Sequence, residues 1–257
     1  MKRVMLTVAY DGTRYNGWQV QPNGVTIEGE LNSALTELLG DEIRVSGASR
    51  TDAGVHALCN LAVFDTNARM PGEKMSYALN QRLPEDIKVL CSQEVPPAFH
   101  PRKCESRKTY VYRIYVAPFP NPLERTYALF TYVPLDVDAM KVAAAQFVGE
   151  HDFTSFSTSK PEITSSVRTV TMCEITEVEK PFGNMIEIRV QGNGFLYNMV
   201  RIMVGTLMEV GRGNLEAEAI AAIFEQKDRM AAGPTAPACG LMLENYTFFG
   251  ENPVKIY

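Results

Sequence analysis

Residues 118–125 read Pro118-Phe119-Pro120-Asn121-Pro122-Leu123-Glu124-Arg125. Each proline fixes φ and removes a backbone donor, so neither a helix nor a central strand runs through this stretch. It separates two series of elements. Upstream, alternating or β-branched runs predict strands near 4–10, 42–48, 58–65, 87–95 and 107–117. Between them, Thr26 is placed as an N-cap, Ile27, Leu31, Ala34, Leu35 and Leu38 fall on one helical face, and Gly40 follows as a stop. A weaker helix is predicted over 72–81, ahead of Pro84. Downstream the pattern reads strand 127–133, helix 137–148, strands 166–179 and 184–192, helices 195–210 and 215–227, and strand 240–248. Both halves contain the order β-α-β-β-α-β of a split unit, with helices packed on one side of an antiparallel or mixed sheet. The expected fold is α+β, built of two similar halves, 1–117 and 127–257, joined by the proline-rich connection 118–126. A cleft between the halves is the natural place for a site. No residue-level repeat is visible, so the duplication rests on element order.

Composition narrows the functional classes. A chain of 257 residues with 46% hydrophobic and 21% charged residues can bury one large core or two modest ones, which excludes a disordered protein. The five cysteines are odd in number and scattered without a Cys-x-x-Cys pair, which reads as reduced thiols in a cytosolic protein. His56, His100 and His151 have no ligand spacing, so no metal site is expected. The apolar run after Met1-Lys2-Arg3 stops at Asp11 without a small-residue cleavage site. The longest apolar stretch, 195–210, falls below the roughly 20 residues of a membrane span and contains Arg201 and Glu209. Lys and Arg total 25 against 30 Asp and Glu, a net charge of -5, so the global basic footprint of a nucleic-acid binder is missing. Locally, however, Arg102, Lys103, Arg107, Lys108 and Arg113 face only Glu105, which is either a basic stripe or a solvated strand and loop.

The densest chemical signal is Ser49-Arg50-Thr51-Asp52-Ala53-Gly54-Val55-His56-Ala57, between two predicted strands. In an extended segment Arg50 and Asp52 share a face, and Gly54 permits a sharp turn with close approach to the backbone. The residues alone also allow an Asp-x-Gly surface turn beside an ordinary Arg. Arg201 is the second signal, because a guanidinium inside the apolar run 196–207 is costly to bury unless paired. An exposed Arg on an amphipathic helix is the other reading. Tyr110 and Tyr112 should share one face of the strand 107–117, where core packing is the usual fate of tyrosine.

The motif Arg50-Thr51-Asp52-Ala53-Gly54-Val55-His56 resembles the signature of the tRNA pseudouridine synthases that modify uridines 38 to 40 of the anticodon stem-loop. Tyr10-Asp11-Gly12-Thr13 with Tyr15 and Gly17-Trp18-Gln19-x-Gln21 is similar to that family's opening motif. Lys108-Thr109-Tyr110-Val111-Tyr112, Asp152-Phe153-Thr154-Ser155-Phe156, Phe195 to Arg201 with Val204-Gly205-Thr206-Leu207, and Ala238 to Leu243 extend the likeness over nearly the whole chain. One departure is Asn198, which stands where many relatives carry His.

The resemblance implies the pseudouridine synthase fold and an isomerase without cofactor, acting on tRNA, whose nucleophile is Asp52. It leaves open whether the carboxylate attacks C6 of the uracil or C1′ of the ribose. By the same likeness Arg201 pairs with Asp52, keeping it ionised and oriented, and Tyr110 lies against the target uracil. A base in a stem must be extruded at a cost of a few kcal/mol, and Arg50 is the candidate to fill the vacated space. His56 either shapes the loop or touches substrate. Lys108, Arg107, Arg102 and Lys103 are candidate phosphate contacts, and a symmetrical homodimer is implied. Two rival classes remain: an RNA-binding module without chemistry, and a hydrolase using paired carboxylates drawn from Glu28, Glu30 and Asp52.

Overall fold

The computed structural model describes residues 1–158 and 165–249. Along the chain run β1 (Lys2–Tyr10), α1 (Ile27–Leu39), β2 (Ser46–Gly47), β3 (His56–Thr66), α2 (Met75–Leu79), β4 (Ile87–Val95) and β5 (Ser106–Val116). There follow β6 (Leu129–Thr131), α3 (Val137–Ala145), β7 (Gly149–Asp152), β8 (Val167–Lys180), β9 (Gly183–Gly192), α4 (Met199–Gly211), α5 (Ala219–Gln226) and β10 (Leu241–Phe248). The described residues form two compact units: the first comprises 1–106 and 242–249, the second 107–158 and 165–241. The divisions therefore fall after Ser106 and after Leu241, and the proline-rich stretch lies inside the second unit.

In the first unit the strand order is β4-β1-β3-β10, with β2 on β3. All pairs are antiparallel except β10 with β3, where Met242 and Leu243 pair with His56 and Ala57 in parallel. The last strand thus returns to the first unit at the point where β3 begins. Burial drives the return, because Tyr246 and Phe248 pack with Met5, Cys59, Leu61 and Val63 in one core cluster. Helix α1 forms for the reasons its sequence carries. Thr26 is extended (φ -134°) and accepts from Gly29 N–H, Gly40 closes the helix at φ 76°, and Ile27, Leu31, Ala34 and Leu35 are buried. The helix expected over 72–81 is a 3-10 turn at Gly72–Lys74 running into the single α-turn of α2.

In the second unit β9 pairs antiparallel with β5 and β8, β8 with β7, and the short β6 runs parallel to β5. The mixed sheet and helices of both units confirm the α+β class. Helix α4 is buried almost all round, with only Arg201 and Glu209 partly accessible, as befits an apolar helix inside a core. It begins at Met199 rather than at 195, because Asn198 adopts a left-handed conformation and turns the chain into the helix there. Strand β7, which no alternation announced, hydrogen-bonds along the edge of β8. No helix among the described residues is long and apolar enough to cross a membrane.

Candidate active site

Asp52 sits in the first unit, in the loop between β2 and β3, and every neighbouring backbone segment of that loop is tied down. Asp52 and Val55 close a turn through Val55 N–H to Asp52 O at 3.1 Å, with Gly54 in the left-handed region at φ 77°. Trp18 N–H donates to Thr51 O at 3.0 Å and Gly54 N–H to Tyr15 O at 3.2 Å. Residues 10–18 therefore form a second loop laid against the first.

Buried polar side chains lock the two loops together. Tyr10 Oη and Thr51 Oγ1 share a hydrogen bond of 2.7 Å, and Asn60 Nδ2 donates to Tyr10 Oη at 3.1 Å. Asn60 also brackets Ser49, donating to its carbonyl at 3.0 Å and accepting from its N–H at 3.3 Å. It is fully buried, so these bonds satisfy an amide that would otherwise be expensive in the core. Burial pushes the Tyr10 phenol well above its ordinary value, so it is a neutral hydroxyl at physiological pH.

His56 is 2% exposed, and its Nδ1 lies 3.1 Å from Gly12 N–H and 3.1 Å from Asp11 Oδ1. With a proton on Nε2 the ring accepts from Gly12; with a proton on Nδ1 it faces the carboxylate. Either way it joins the start of β3 to the 10–18 loop, which places it among the supports of the loop. Gly12 packs so tightly that a Cβ there would lie 2.0 Å from Val55 O. Arg50 and Ala53 are exposed, Asp52 is half-buried, and Ser49 and Thr51 are buried, so the loop is anchored at 49 and 51.

Arg201 and Tyr110 belong to the second unit. Arg201 lies in the first turn of α4, half-buried, with Nε donating to Ala236 O at 2.7 Å and Nη1 to Asn198 Oδ1 at 3.0 Å. Ala236 N–H returns to Arg201 O at 3.0 Å, so the 233–237 segment is bonded along the helix. That segment can lie so close because α4 has Gly205 beneath it: a Cβ there would sit 1.7 Å from Pro234 O. Thr206 Oγ1 accepts from Gly233 N–H at 2.9 Å, and Tyr112 Oη donates to Pro237 O at 2.8 Å. Tyr112 is thus a support, its phenol held neutral by burial.

Tyr110 is buried on β5 and meets Phe195 edge to face at 5.2 Å. Its strand neighbours divide as alternation requires, Lys108, Tyr110 and Tyr112 on one face, Arg107 and Arg113 on the other. Arg113 is spent on Glu187 at 2.8 Å and drops out of the basic stripe. Arg107, Arg102 and Lys103 are exposed and Lys108 half-buried. Of the rival carboxylates, Glu28 Oε2 accepts from Val20 N–H at 2.9 Å at the start of α1.

Sequence reasoning missed Asn60 and the carbonyl of Ala236, and quoted Tyr10, Gly12, Trp18 and Phe195 without giving them work. A buried asparagine inside the apolar strand 59–64 was the available signal for the first. A surface hollow lined by Ala117, Tyr132, Lys180 and Phe182 in the second unit contains none of the candidate residues.

Comparison with known proteins shows the family to which the chain is similar. A family model described as tRNA pseudouridine synthase matches residues 6–102 and 143–248. The matched segments include Arg50, Asp52, His56, Asn198 and Arg201, while Arg107, Lys108 and Tyr110 fall between them. A tRNA pseudouridine synthase A from Thermoanaerobacter sp. (strain X514) is 45% identical over 243 residues, covering 95% of this chain and 98% of that one. Proteins of the same name from Ruminiclostridium cellulolyticum and Pelobacter propionicus are 45% identical over 243 residues and 44% identical over 248. The latter alignment covers 96% of this chain and 100% of the relative.

Proposed function

The chain belongs to the tRNA pseudouridine synthase family, and from that membership we propose that it isomerises uridine to pseudouridine in the anticodon stem-loop of tRNA, at positions 38, 39 and 40, with Asp52 as nucleophile. The observation that carries the reading is the Asp52 loop: a half-buried carboxylate on a backbone fixed at Ser49, Thr51, Gly54 and Val55.

The reaction needs no redox change and no added atom. The Asp52 carboxylate adds to the nucleoside, the C1′–N1 bond breaks, the uracil turns within the site, and C5 bonds to C1′. N1 gains a proton, C5 loses one, and the carboxylate leaves as it came. A carboxylate suits this role because it is ionised at neutral pH, forms an ester or adduct and departs again. Catalysis then rests on holding the group still and placing charge around it, which is what a loop anchored at four residues provides.

Arg201 is the proposed cationic partner of Asp52, keeping the carboxylate ionised away from bulk water. Tyr110 packs against the target uracil, and its hydroxyl takes part in proton transfer. Arg50 fills the stem position that the uridine vacates, a task suited to a flat guanidinium that stacks and bonds to phosphate. Arg107 and Lys108 contact the backbone of the RNA, and a homodimer in the cytoplasm completes the proposal. Against the family background His56 is assigned to shaping the loop, since its ring is buried under residues 11 and 12.

The test is incubation with an unmodified tRNA transcript, mapping of new pseudouridines, and repetition with Asp52→Asn. Wild type should convert uridines in the anticodon stem-loop, and the variant should bind tRNA without converting any. Undiminished product in Asp52→Asn would sink the nucleophile assignment. Release of free uracil would turn the reading toward a hydrolase.

A further inference from the structure

Asn198 stands at the boundary of α4 in the left-handed region, at φ 61° and ψ 3°. Asparagine is one of the few residues besides glycine that visits this conformation, and it is also among the best helix N-caps. Here its side chain makes no capping bond to the helix. Both ends of the amide are engaged elsewhere. Oδ1 accepts from Arg201 Nη1 at 3.0 Å, and Nδ2 donates to Thr158 Oγ1 at 2.8 Å. Chemistry fixes which end is which, because a guanidinium only donates and must therefore face the oxygen.

Thr158 is itself held. Its N–H donates to Tyr197 O at 3.3 Å, and Ser157 Oγ donates to the same carbonyl at 3.4 Å. The amide thus has one end on a strapped segment and the other on the guanidinium, while Ala236 O takes Nε from the neighbouring edge at 2.7 Å. Two anchors on adjacent nitrogens define the plane of a rigid fork. Both anchors are neutral.

We propose that Asn198 is a positioning residue for the reaction, aiming the Arg201 guanidinium through an uncharged amide so that its direction is fixed and its positive charge stays whole. The inference rests on Arg201 serving Asp52 as proposed above. A carboxylate at position 198 would make the stronger hydrogen bond to Arg201. It would also neutralise the charge on which the nucleophile depends. An amide supplies orientation alone, and it does so by forgoing the capping bond that asparagine ordinarily makes at such a boundary.

Two variants separate aim from fold. Asn198→Gly removes the amide while suiting the left-handed backbone, so the helix start is not strained. Asn198→Asp keeps size and acceptor but brings a negative charge. The measurements are the single-turnover rate of pseudouridine formation on an unmodified tRNA transcript, the Kd for that tRNA, and the thermal midpoint. Loss of one hydrogen bond to a charged group predicts a rate about tenfold lower in Asn198→Gly. Its tRNA affinity and midpoint should stay close to wild type. Asn198→Asp should lose at least as much rate, although a residue needed only for structure would be served well by this acceptor. A wild-type rate in either variant overturns the proposal. A wild-type enzyme that forms no pseudouridine, or an active Asp52→Asn, would instead overturn the functional reading beneath it.

Discussion

Gly12→Ala isolates the contribution of loop packing to the chemistry. Gly12 is not among the residues at positive φ, so alanine fits its backbone and the effect is purely steric. A Cβ at this position would meet Val55 O at 2.0 Å and Val55 C at 2.6 Å. Ordinary contact begins near 3.4 Å, so about 1.4 Å of clearance (3.4 less 2.0) must come from two backbone segments. Shared evenly, that moves the turn carrying Asp52 by about 0.7 Å, and a misplacement on the order of 1 Å can cost about a hundredfold in rate. Overpacking of this kind destabilises by about 1–3 kcal/mol. Gly40→Ala is the matched control: its Cβ would meet nothing within 4 Å, although its φ of 76° is left-handed. That variant should lose roughly 1–2 kcal/mol of stability and none of its rate. The assay is single-turnover pseudouridine formation alongside urea denaturation for both variants. If Gly12→Ala turned over as fast as Gly40→Ala, the idea that the 10–18 loop sets the position of Asp52 would be refuted.

Two further outcomes are expected. Bonds from the Ser166 and Thr154 hydroxyls, assisted by Lys227, hold the Asp152 carboxyl well below the usual carboxylate range. A carboxyl depressed in the folded state stabilises above its unfolded value of about 4, and this contribution fades as pH falls from there toward the folded value. Asp152→Asn should therefore flatten the fall of the thermal midpoint below about pH 4, and a slope equal to wild type would contradict the linkage. Removal of the exposed Arg50, Arg102 and Lys103 together should make the dependence of log K for tRNA on log salt shallower, by about 0.7–0.9 for each phosphate that is no longer neutralised. An unchanged slope in filter binding would remove these residues from the RNA surface.

Local physics made much of this legible in advance. Thr26 and Gly40 bounded α1 because capping is a property of single residues, and β1, β3, β4, β5, β8 and β9 followed from alternation or β-branching. The start of α4 was not legible, since Phe195, Leu196 and Tyr197 carry helical hydrophobicity but precede the left-handed Asn198. The return of β10 to β3 was equally hidden, because a parallel pairing between segments so far apart in the chain leaves no mark in either segment's period. Among the candidate residues, Asp52 stood out by its motif and Arg201 by its charge in an apolar run. The carbonyl of Ala236 could not stand out, as every residue has one, and its role depends on Gly205 admitting the 233–237 segment.

The negative net charge looked like evidence against an RNA partner, but ion pairs cancel within that sum, and what a phosphate feels depends on where the unpaired charges lie. Lys2 is paired with Glu94, Arg3 with Asp65, Arg14 with Asp86 and Arg113 with Glu187. Each such pair contributes little field beyond its own neighbourhood, so it counts for neither attraction nor repulsion at the distance of a phosphate. What an approaching RNA meets is the unpaired remainder. Among the described residues Arg50, Arg102 and Lys103 are exposed and held by no ion pair in the first unit, and Arg50 lies two residues from Asp52. Exposed acids occur in both units, Asp41, Glu73, Glu85 and Glu105 in the first and Glu174, Glu177 and Glu179 on β8 in the second. A protein can therefore be acidic in total and still carry an exposed cation, Arg50, two residues from the carboxylate proposed as nucleophile, which would ease the approach of a polyanion to that group.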